Sequence, residues 1–374
     1  MKILFACGGT AGHINPALAI ANYIKAKNPD AVIKFAGNPN GMEHRLVPAA
    51  GYEFLPIEIL GIQRKLNWRN IQYNFKSLYL LTRSSARAAK ILEEFQPDVV
   101  VGTGGYVSGP ILRKASQLGY PTISHEQNAF PGVTTKLLAK YVDVVLLAVE
   151  KAKEYLPKGR EYILTGNPVR QEMFSYDREA ARRELGIQPG KICLLSFGGS
   201  LGAQRVNEAV ADVIDAHSPI GMIHHIHATG SYGVELMPRL LKERGVDYTQ
   251  NPNLDIREYI SDMPRCLAAA DLVICRAGAI TLSELQACGR ASILIPSPNV
   301  SENHQYHNAM VLQRQGAAIV IEEKDLDGKK LASQVLALAQ EPARLHTLGA
   351  NAKKMAILDT NERIYRQILL LLSK

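Results

Sequence analysis

The sequence predicts an α/β protein made of two doubly wound, Rossmann-like domains whose ligand ends face a shared cleft. Three observations carry this. Apolar runs of four to seven residues alternate with helix-length periodic stretches along almost the whole chain, the pattern of βα units on a parallel sheet. The length, 374 residues, suits two domains of about 150 residues each. A weak internal repeat divides them: the run from Lys2 to Gly12 resembles that from Lys191 to Gly202 with one insertion, and Asp98 to Val101 followed by Gly104-Gly105 echoes Asp271 to Ile274 followed by Ala277-Gly278.

In chain order, strands are predicted at Lys2–Ala6, Val32–Ala36, Asp98–Val101, Thr122–Ser124, Val142–Ala148 and Tyr162–Thr165. A second set follows at Lys191–Ser196, Met222–Ala228, Asp255–Tyr259, Asp271–Cys275, Ser292–Ile295 and Ala318–Ile321. Gly166-Asn167-Pro168 punctuates the end of the first set, giving domains over 1–165 and 166–374, with the last helix available to pack back on the first. After Gly8-Gly9 a helix is expected with Asn15 as its cap and Pro16 as its first residue. In such domains the ligand lies beyond the carboxyl ends of the strands.

Composition removes several classes of protein. At 47% apolar and 21% charged the chain is globular rather than disordered. No run approaches the ~18 apolar residues of a membrane span. The apolar start before Gly8-Gly9 is too short for a signal peptide, which predicts a cytoplasmic protein. Five cysteines without a C-x-x-C spacing read as buried small hydrophobes. The net charge of +8 is concentrated: Arg64, Lys65, Arg69, Lys76, Arg83, Arg87 and Lys90 lie between Ile59 and Leu92 with no acidic residue among them. Charge alone fits nucleic acid, an anionic membrane or an acidic small molecule.

Three glycine loops follow strands: Gly8-Gly9-Thr10-Ala11-Gly12-His13, Gly102 to Gly109, and Gly198-Gly199-Ser200-Leu201-Gly202. Freed backbone N–H groups at a helix N-terminus suit phosphate or pyrophosphate. None of the three is G-x-G-x-x-G and no Walker motif is present, which disfavours a dinucleotide oxidoreductase and excludes a P-loop nucleotidase. His125-Glu126-Gln127-Asn128 is expected just past a strand, four polar side chains at a ligand position. His224, His225 and His227 share a strand, with alternation setting His225 against the other two, and read as core or surface residues rather than a metal site. Asp325-Leu326-Asp327 reads as solvated capping residues, not a metal clamp. For Thr281-Leu282-Ser283-Glu284 two readings stand level: a helix capping box, or a carboxylate binding both hydroxyls of a ribose.

Taken together, G-G-T-x-G-H at Gly8 to His13, G-G-Y-V-S-G at Gly104 to Gly109, H-E-Q-N at His125 to Asn128, G-N-P-V-R at Gly166 to Arg170, G-G-S-x-G-A at Gly198 to Ala203 and C-R-x-G-A-x-T-x-S-E at Cys275 to Glu284 resemble the MurG family. These are bacterial N-acetylglucosaminyltransferases that convert lipid I to lipid II in peptidoglycan synthesis. The resemblance implies a GT-B fold, peripheral attachment to the cytoplasmic face of the membrane, and neither cofactor nor metal. It implies donor contacts to UDP-GlcNAc from Arg170, Ser200, Ile260, Ala279, Ile280, Thr281, Glu284 and Gln305, joined by Thr10, Ala11, Gly12 and Asn128. Gly9, Gly104, Gly105 and Tyr106 would meet the polyprenyl-linked acceptor, His13 would serve as general base, and Glu126 stands second for that role. Family members often carry Gln-Gln where this chain has His304-Gln305.

The same scaffold also serves diacylglycerol glucosyltransferases and UDP-GlcNAc 2-epimerases, and a non-catalytic nucleotide-sugar binder is a further alternative. The basic segment adds something the motifs do not. A helix from Asn70 to Leu92 would gather Lys76, Arg83, Arg87 and Lys90 on one side, with Trp68 between Lys65 and Arg69. That predicts docking to an anionic bilayer, with no nucleic-acid partner.

Overall fold

The computed structural model describes residues 1–59 and 83–373. Lys65, Trp68, Arg69 and Lys76 lie outside the described residues, as does most of the helix expected from Asn70. The chain divides into two compact units, Met1–Val169 with Ile357–Lys374, and Arg170–Ala356.

The first unit runs β1 (Lys2–Cys7), α1 (Ala11–Lys27), β2 (Val32–Gly37), α2 (Glu43–Ala49) and β3 (Glu53–Pro56). A helix described over 83–95, α3, precedes β4 (Val99–Gly104), α4 (Ser108–Gln117), β5 (Thr122–Glu126), α5 (Val133–Leu138), β6 (Val144–Leu147) and β7 (Ile163–Leu164). All seven strands are parallel, in the order β3-β2-β1-β4-β5-β6-β7. Such a sheet is covered on both faces, so β1 is a continuous apolar run in which Ile3 through Cys7 are fully buried. One face packs Phe5 and Phe35, stacked at 5.0 Å, under Ile14, Ile20 and Ile24 of α1. Ile364 and Ile368 complete that cluster from the last helix of the chain, Thr360–Leu372, which joins this unit. The other face sets Leu4, Ala6 and Val100 against Leu92, Ile111 and Leu112.

The second unit runs α6 (Arg178–Glu184), β8 (Ile192–Phe197), α7 (Gln204–His217), β9 (Ile223–Ala228), α8 (Leu236–Glu243), β10 (Leu254–Arg257), α9 (Met263–Ala269) and β11 (Leu272–Cys275). Then follow α10 (Ala279–Cys288), β12 (Ala291–Leu294), α11 (His304–Arg314), β13 (Ile319–Val320), α12 (Gly328–Ala339) and α13 (Pro342–Lys354). Its parallel sheet has the order β10-β9-β8-β11-β12-β13. Within each unit the order reverses beside the first strand, at β1/β4 and at β8/β11, the position where doubly wound folds bind ligands. Among the described residues no helix is long and apolar enough to cross a membrane.

Every expected strand is present, and the structure adds one. Glu53–Pro56 is an edge strand that pairs only with β2 and ends in proline, so neither β-branched content nor alternation announces it. Two further expectations are corrected. Helix α1 starts at Ala11 with an extended Thr10 as its cap, four residues before Asn15, and Pro16 lies inside it. His225 and His227, two residues apart, share a face, as the period of a strand requires, and His224 points the other way. Ser196 Oγ lies 2.7 Å from both His225 Nε2 and His227 Nδ1, and His217 Nε2 lies 3.0 Å from His225 Nδ1.

Burial lowers the titration of His217 and His227 from 6.5 to about 4, and that of His225 well below 6.5. The unfolded chain therefore takes up protons below pH 6.5 that the folded core refuses, so stability is full above that value and falls as the pH drops towards about 4. The expected loss at pH 5 is on the order of 1–2 kcal/mol for each such histidine. Urea unfolding at pH 7 and pH 5 checks it, with His227→Asn as the variant whose loss on acidification is smaller. Equal pH dependence in the variant would contradict this account.

Candidate functional site

At the end of β1 the chain turns through Gly8 and Gly9, the latter at φ +85°. The turn is organised by Glu43 of α2, 1% exposed, whose Oε2 accepts the Gly9 N–H at 3.2 Å and whose Oε1 accepts the Asn38 N–H at 2.9 Å. Gly8 and Gly41 close around this carboxylate, each so near that a Cβ would lie within 2.5 Å of at least one of its oxygens. The N–H of Gly9 is thus already satisfied by the protein itself. What this loop presents instead is the first turn of α1, with no acidic residue and no side-chain cap.

His13 sits in that first turn, half-buried, its Nδ1 3.1 Å from Thr103 O and 3.2 Å from Gln127 Oε1. Thr103 Oγ1 donates in return to His13 O at 2.7 Å. The end of β4 comes so close that a Cβ on Gly104 (φ +104°) would lie 2.5 Å from the His13 ring, and one on Gly105 (φ +84°) 2.2 Å from Gly8 O. Only glycine permits this approach. Ser108 Oγ, buried, donates to Ala6 O and accepts the Gly104 N–H, tying β1 to β4, and Tyr106 stands exposed beside them.

The quartet at His125 is not an open polar loop. His125 and Glu126 are the last residues of β5, and both are buried, as is Gln127. Strand β5 continues two residues further than an apolar count suggests because these side chains are satisfied internally. Glu126 Oε1 accepts from the backbone N–H and Nδ2 of Asn128, each at 3.0 Å, and Oε2 accepts the Gly132 N–H at 3.1 Å. With each oxygen accepting at least one N–H, Glu126 shapes the loop. His125 Nε2 donates to Gly166 O at 2.9 Å, and burial lowers the titration of this ring. Gln127, expected with its neighbours at a ligand position, instead reaches Thr103 O, His125 and His13 together.

In the second unit Gly199 and Gly202 have φ of +102° and +83°, and a Cβ on Gly202 would lie 2.2 Å from Thr229 O. Ser200 is exposed, and α7 behind it has neither a first-turn acid nor a side-chain cap, leaving its N-terminal N–H groups available to an anion. Past β11, α10 begins at Ala279 with Gly278 as its cap. Thr281 is therefore not a cap, Glu284 is a turn too late, and no capping box exists. Glu284 is 8% exposed, and its Oε1 lies 3.5 Å from Arg170 Nη2. Burial raises its titration, with Arg170 opposing. Ile280 and Thr281 are partly exposed on the same helix, and Ile260 is buried at the end of the loop after β10. Gln305 Oε1 accepts the Ser297 N–H at 2.9 Å, while His304 Nδ1 donates to Ser301 O at 2.8 Å and is turned into its own loop. Asp327 caps α12 by accepting the Lys330 N–H at 2.9 Å, and Asp325 is exposed.

Comparison with known proteins places this geometry. The model of the glycosyltransferase family 28 N-terminal domain matches residues 3–147, and that of the family 28 C-terminal domain matches residues 193–364. The chain is 45% identical over 368 residues to the UDP-N-acetylglucosamine--N-acetylmuramyl-(pentapeptide) pyrophosphoryl-undecaprenol N-acetylglucosamine transferase of Acetivibrio thermocellus, covering 98% of this chain and 97% of that one. It is 42% identical to the enzyme of the same name from Ruminiclostridium cellulolyticum, over 98% and 99% of the two chains. Among solved structures, Acinetobacter baumannii MurG is similar at a TM-score of 0.77 and 26% identity, over 98% of this chain and 99% of that. A UDP-GlcNAc 2-epimerase from Neisseria meningitidis, at a TM-score of 0.64 and 12% identity over 99% and 100%, shares the fold alone.

The role of Glu43 is open to direct measurement. Glu43→Ala strands two N–H groups in a buried site and is expected to cost about 3 kcal/mol of stability, with Glu43→Gln costing less. Urea unfolding that shows wild-type stability for Glu43→Ala would overturn the account of this turn.

Proposed function

The chain belongs to glycosyltransferase family 28, and from that premise we propose how it moves N-acetylglucosamine from UDP-GlcNAc to the C4 hydroxyl of N-acetylmuramic acid in lipid I, giving lipid II for peptidoglycan. The observation that carries this reading is whole-length likeness to enzymes named for that transfer.

The reaction is an inverting single displacement: the acceptor oxygen attacks the anomeric carbon, its proton passes to a base, and UDP leaves. His13 is the proposed base, a residue type whose ordinary titration suits proton transfer near neutrality. The second unit holds the donor. Arg170, Ser200 and the N-terminus of α7 stabilise the diphosphate as negative charge grows on it, a task for fixed dipoles and a guanidinium rather than a metal. Glu284 binds the ribose hydroxyls, Ile260 the uracil, Ala279, Ile280 and Thr281 the nucleoside and sugar, and Gln305 the sugar hydroxyls through the amide nitrogen that Ser297 leaves open. Thr10, Ala11, Gly12 and Asn128 contribute to the donor from the first unit, whose Gly104, Gly105 and Tyr106 meet the acceptor.

The acceptor hangs from a polyprenyl chain, so the enzyme works at the cytoplasmic face of the membrane, attached peripherally. Among the described residues, the surface of α5 supports this: Leu137 is 63% and Val133 47% exposed, beside Lys136 and Lys140. Each Lys or Arg near an anionic surface contributes about 1 kcal/mol.

Radiolabelled UDP-GlcNAc incubated with and without lipid I tests the transfer itself. Glu284→Ala is expected to weaken donor binding by about 1–3 kcal/mol in calorimetry, and His13→Ala to lower turnover about 100-fold with donor binding nearly unchanged. Wild-type values for either would remove that residue from its role. EDTA is expected to leave turnover intact, and activity lost to chelation and restored by Mg²⁺ would contradict a metal-free mechanism. Replacing Lys65, Arg69, Lys76 and Arg83 with Glu is expected to abolish co-sedimentation with anionic vesicles at about 0.1 M salt. Pelleting like the wild type would place the docking surface elsewhere.

A further inference from the structure

We propose that Gln127 is a positioning residue that, together with the Thr103 carbonyl, fixes the tautomer of His13, holding its proton on Nδ1 and turning the lone pair of Nε2 towards the reacting hydroxyl. The inference rests on the reading of His13 as the base.

The argument is a count of donors and acceptors. Thr103 O, 3.1 Å from His13 Nδ1, can only accept, so Nδ1 carries a hydrogen. Gln127 could in principle present either end of its amide to that nitrogen. Its Nε2, however, lies 2.9 Å from Thr103 O and 3.1 Å from His125 O, two carbonyl oxygens. A flipped amide would put oxygen against both carbonyls and N–H against the His13 N–H. The amide therefore has one orientation, with Oε1 facing Nδ1 at 3.2 Å.

The same logic continues through His125. Its Nε2 is 2.9 Å from Gly166 O and donates, so Nδ1 is unprotonated and accepts from Gln127 Nε2 at 3.0 Å. Burial lowers the titration of this ring, and a hydrogen on Nδ1 would oppose the Gln127 amide. The chain Gly166 O, His125, Gln127, His13 has one consistent proton arrangement, and it leaves only His13 Nε2 without a hydrogen-bond partner among the described residues. The acidic side chains on neighbouring elements are committed elsewhere: Glu126 to Asn128 and Gly132, Glu43 to Gly9 and Asn38. A neutral amide thus does here what a carboxylate does in a Ser-His-Asp triad, setting the tautomer without adding a charge.

The test is ¹⁵N–¹H correlation of the histidine rings in the intact protein, with the His13 signals identified by their loss in His13→Ala. The wild type is expected to hold His13 with hydrogen on Nδ1. Gln127→Met, similar in length but unable to hydrogen-bond in this way, is expected to show a mixture with the Nε2–H form. Gln127→Asn, whose amide is withdrawn by one methylene, covers the case in which the methionine variant does not fold. Turnover should fall about tenfold in these variants with the KM for UDP-GlcNAc within about twofold. In a His13→Ala background Gln127→Met should add nothing. An Nε2–H ring in the wild type, an unchanged tautomer in the folded variants, or an additive loss on His13→Ala would overturn the proposal. Normal turnover of His13→Ala alone would remove His13 as the base, while the ring spectra still decide whether Gln127 sets its tautomer.

Discussion

The close approach of backbone to backbone at the carboxyl end of the first strand of each sheet is the constraint on which both units depend. In the first unit the turn after β4 lies against the turn after β1, with Gly105 over Gly8 O and Gly104 over the His13 ring. In the second unit the loop after β8 lies against the end of β9, with Gly202 over Thr229 O. In each case a single Cβ would collide with a backbone oxygen at 2.2 Å. The glycines carry no chemistry. They let two strand ends converge so that helix N-termini and a few side chains from different strands reach one place, and any larger residue there would have to move the backbone.

The two units use the same device differently. In the first, a buried carboxylate of the chain itself, Glu43, already occupies the turn and takes the Gly9 N–H, so the loop is internally closed and serves to hold His13. In the second, the first turn of α7 holds no acidic residue, Ser200 is exposed, and the start of α7 has no side-chain cap. Electrostatics therefore favour an incoming diphosphate in the second unit over the turn at Gly9, which accords with assigning the donor there.

How much of this can be read from residues alone depends on whether a signal is local. The strands are legible because a sheet covered on both faces demands unbroken apolar runs, and β3 is missed because a short edge strand ending in proline makes no such demand. The glycine loops are legible by composition. The start of α1 is not: Asn15-Pro16 is a strong local cap signal, yet the helix begins at Ala11 because the turn against β4 brings an extended Thr10 to the cap. Gln127 and Glu43 are invisible for a related reason, since each acts through partners distant in sequence, Gln127 on Thr103 and His13, Glu43 on Gly9. His125 and Glu126 were legible as important but not as buried, because polarity in a sequence does not say whether its hydrogen bonds are made to ligand or to backbone.

Glu284 shows how one helix boundary decides between readings that sequence leaves level. A capping box would place Thr281 at the cap and give Glu284 a backbone partner at the helix start. With α10 beginning at Ala279 that partner is absent, and among the described residues a carboxylate 8% exposed is left with a single, long contact to a half-exposed arginine. Burial raises its titration, the mark of a charge imperfectly compensated. Such a group is costly to the free protein and is relieved by donors arriving from outside, whether hydroxyls or water. Two adjacent hydroxyls, as on the ribose proposed to bind here, would supply a hydrogen bond to each oxygen while excluding water, so the cost of keeping Glu284 there would return as affinity and as preference for a ribonucleotide donor over its deoxy counterpart.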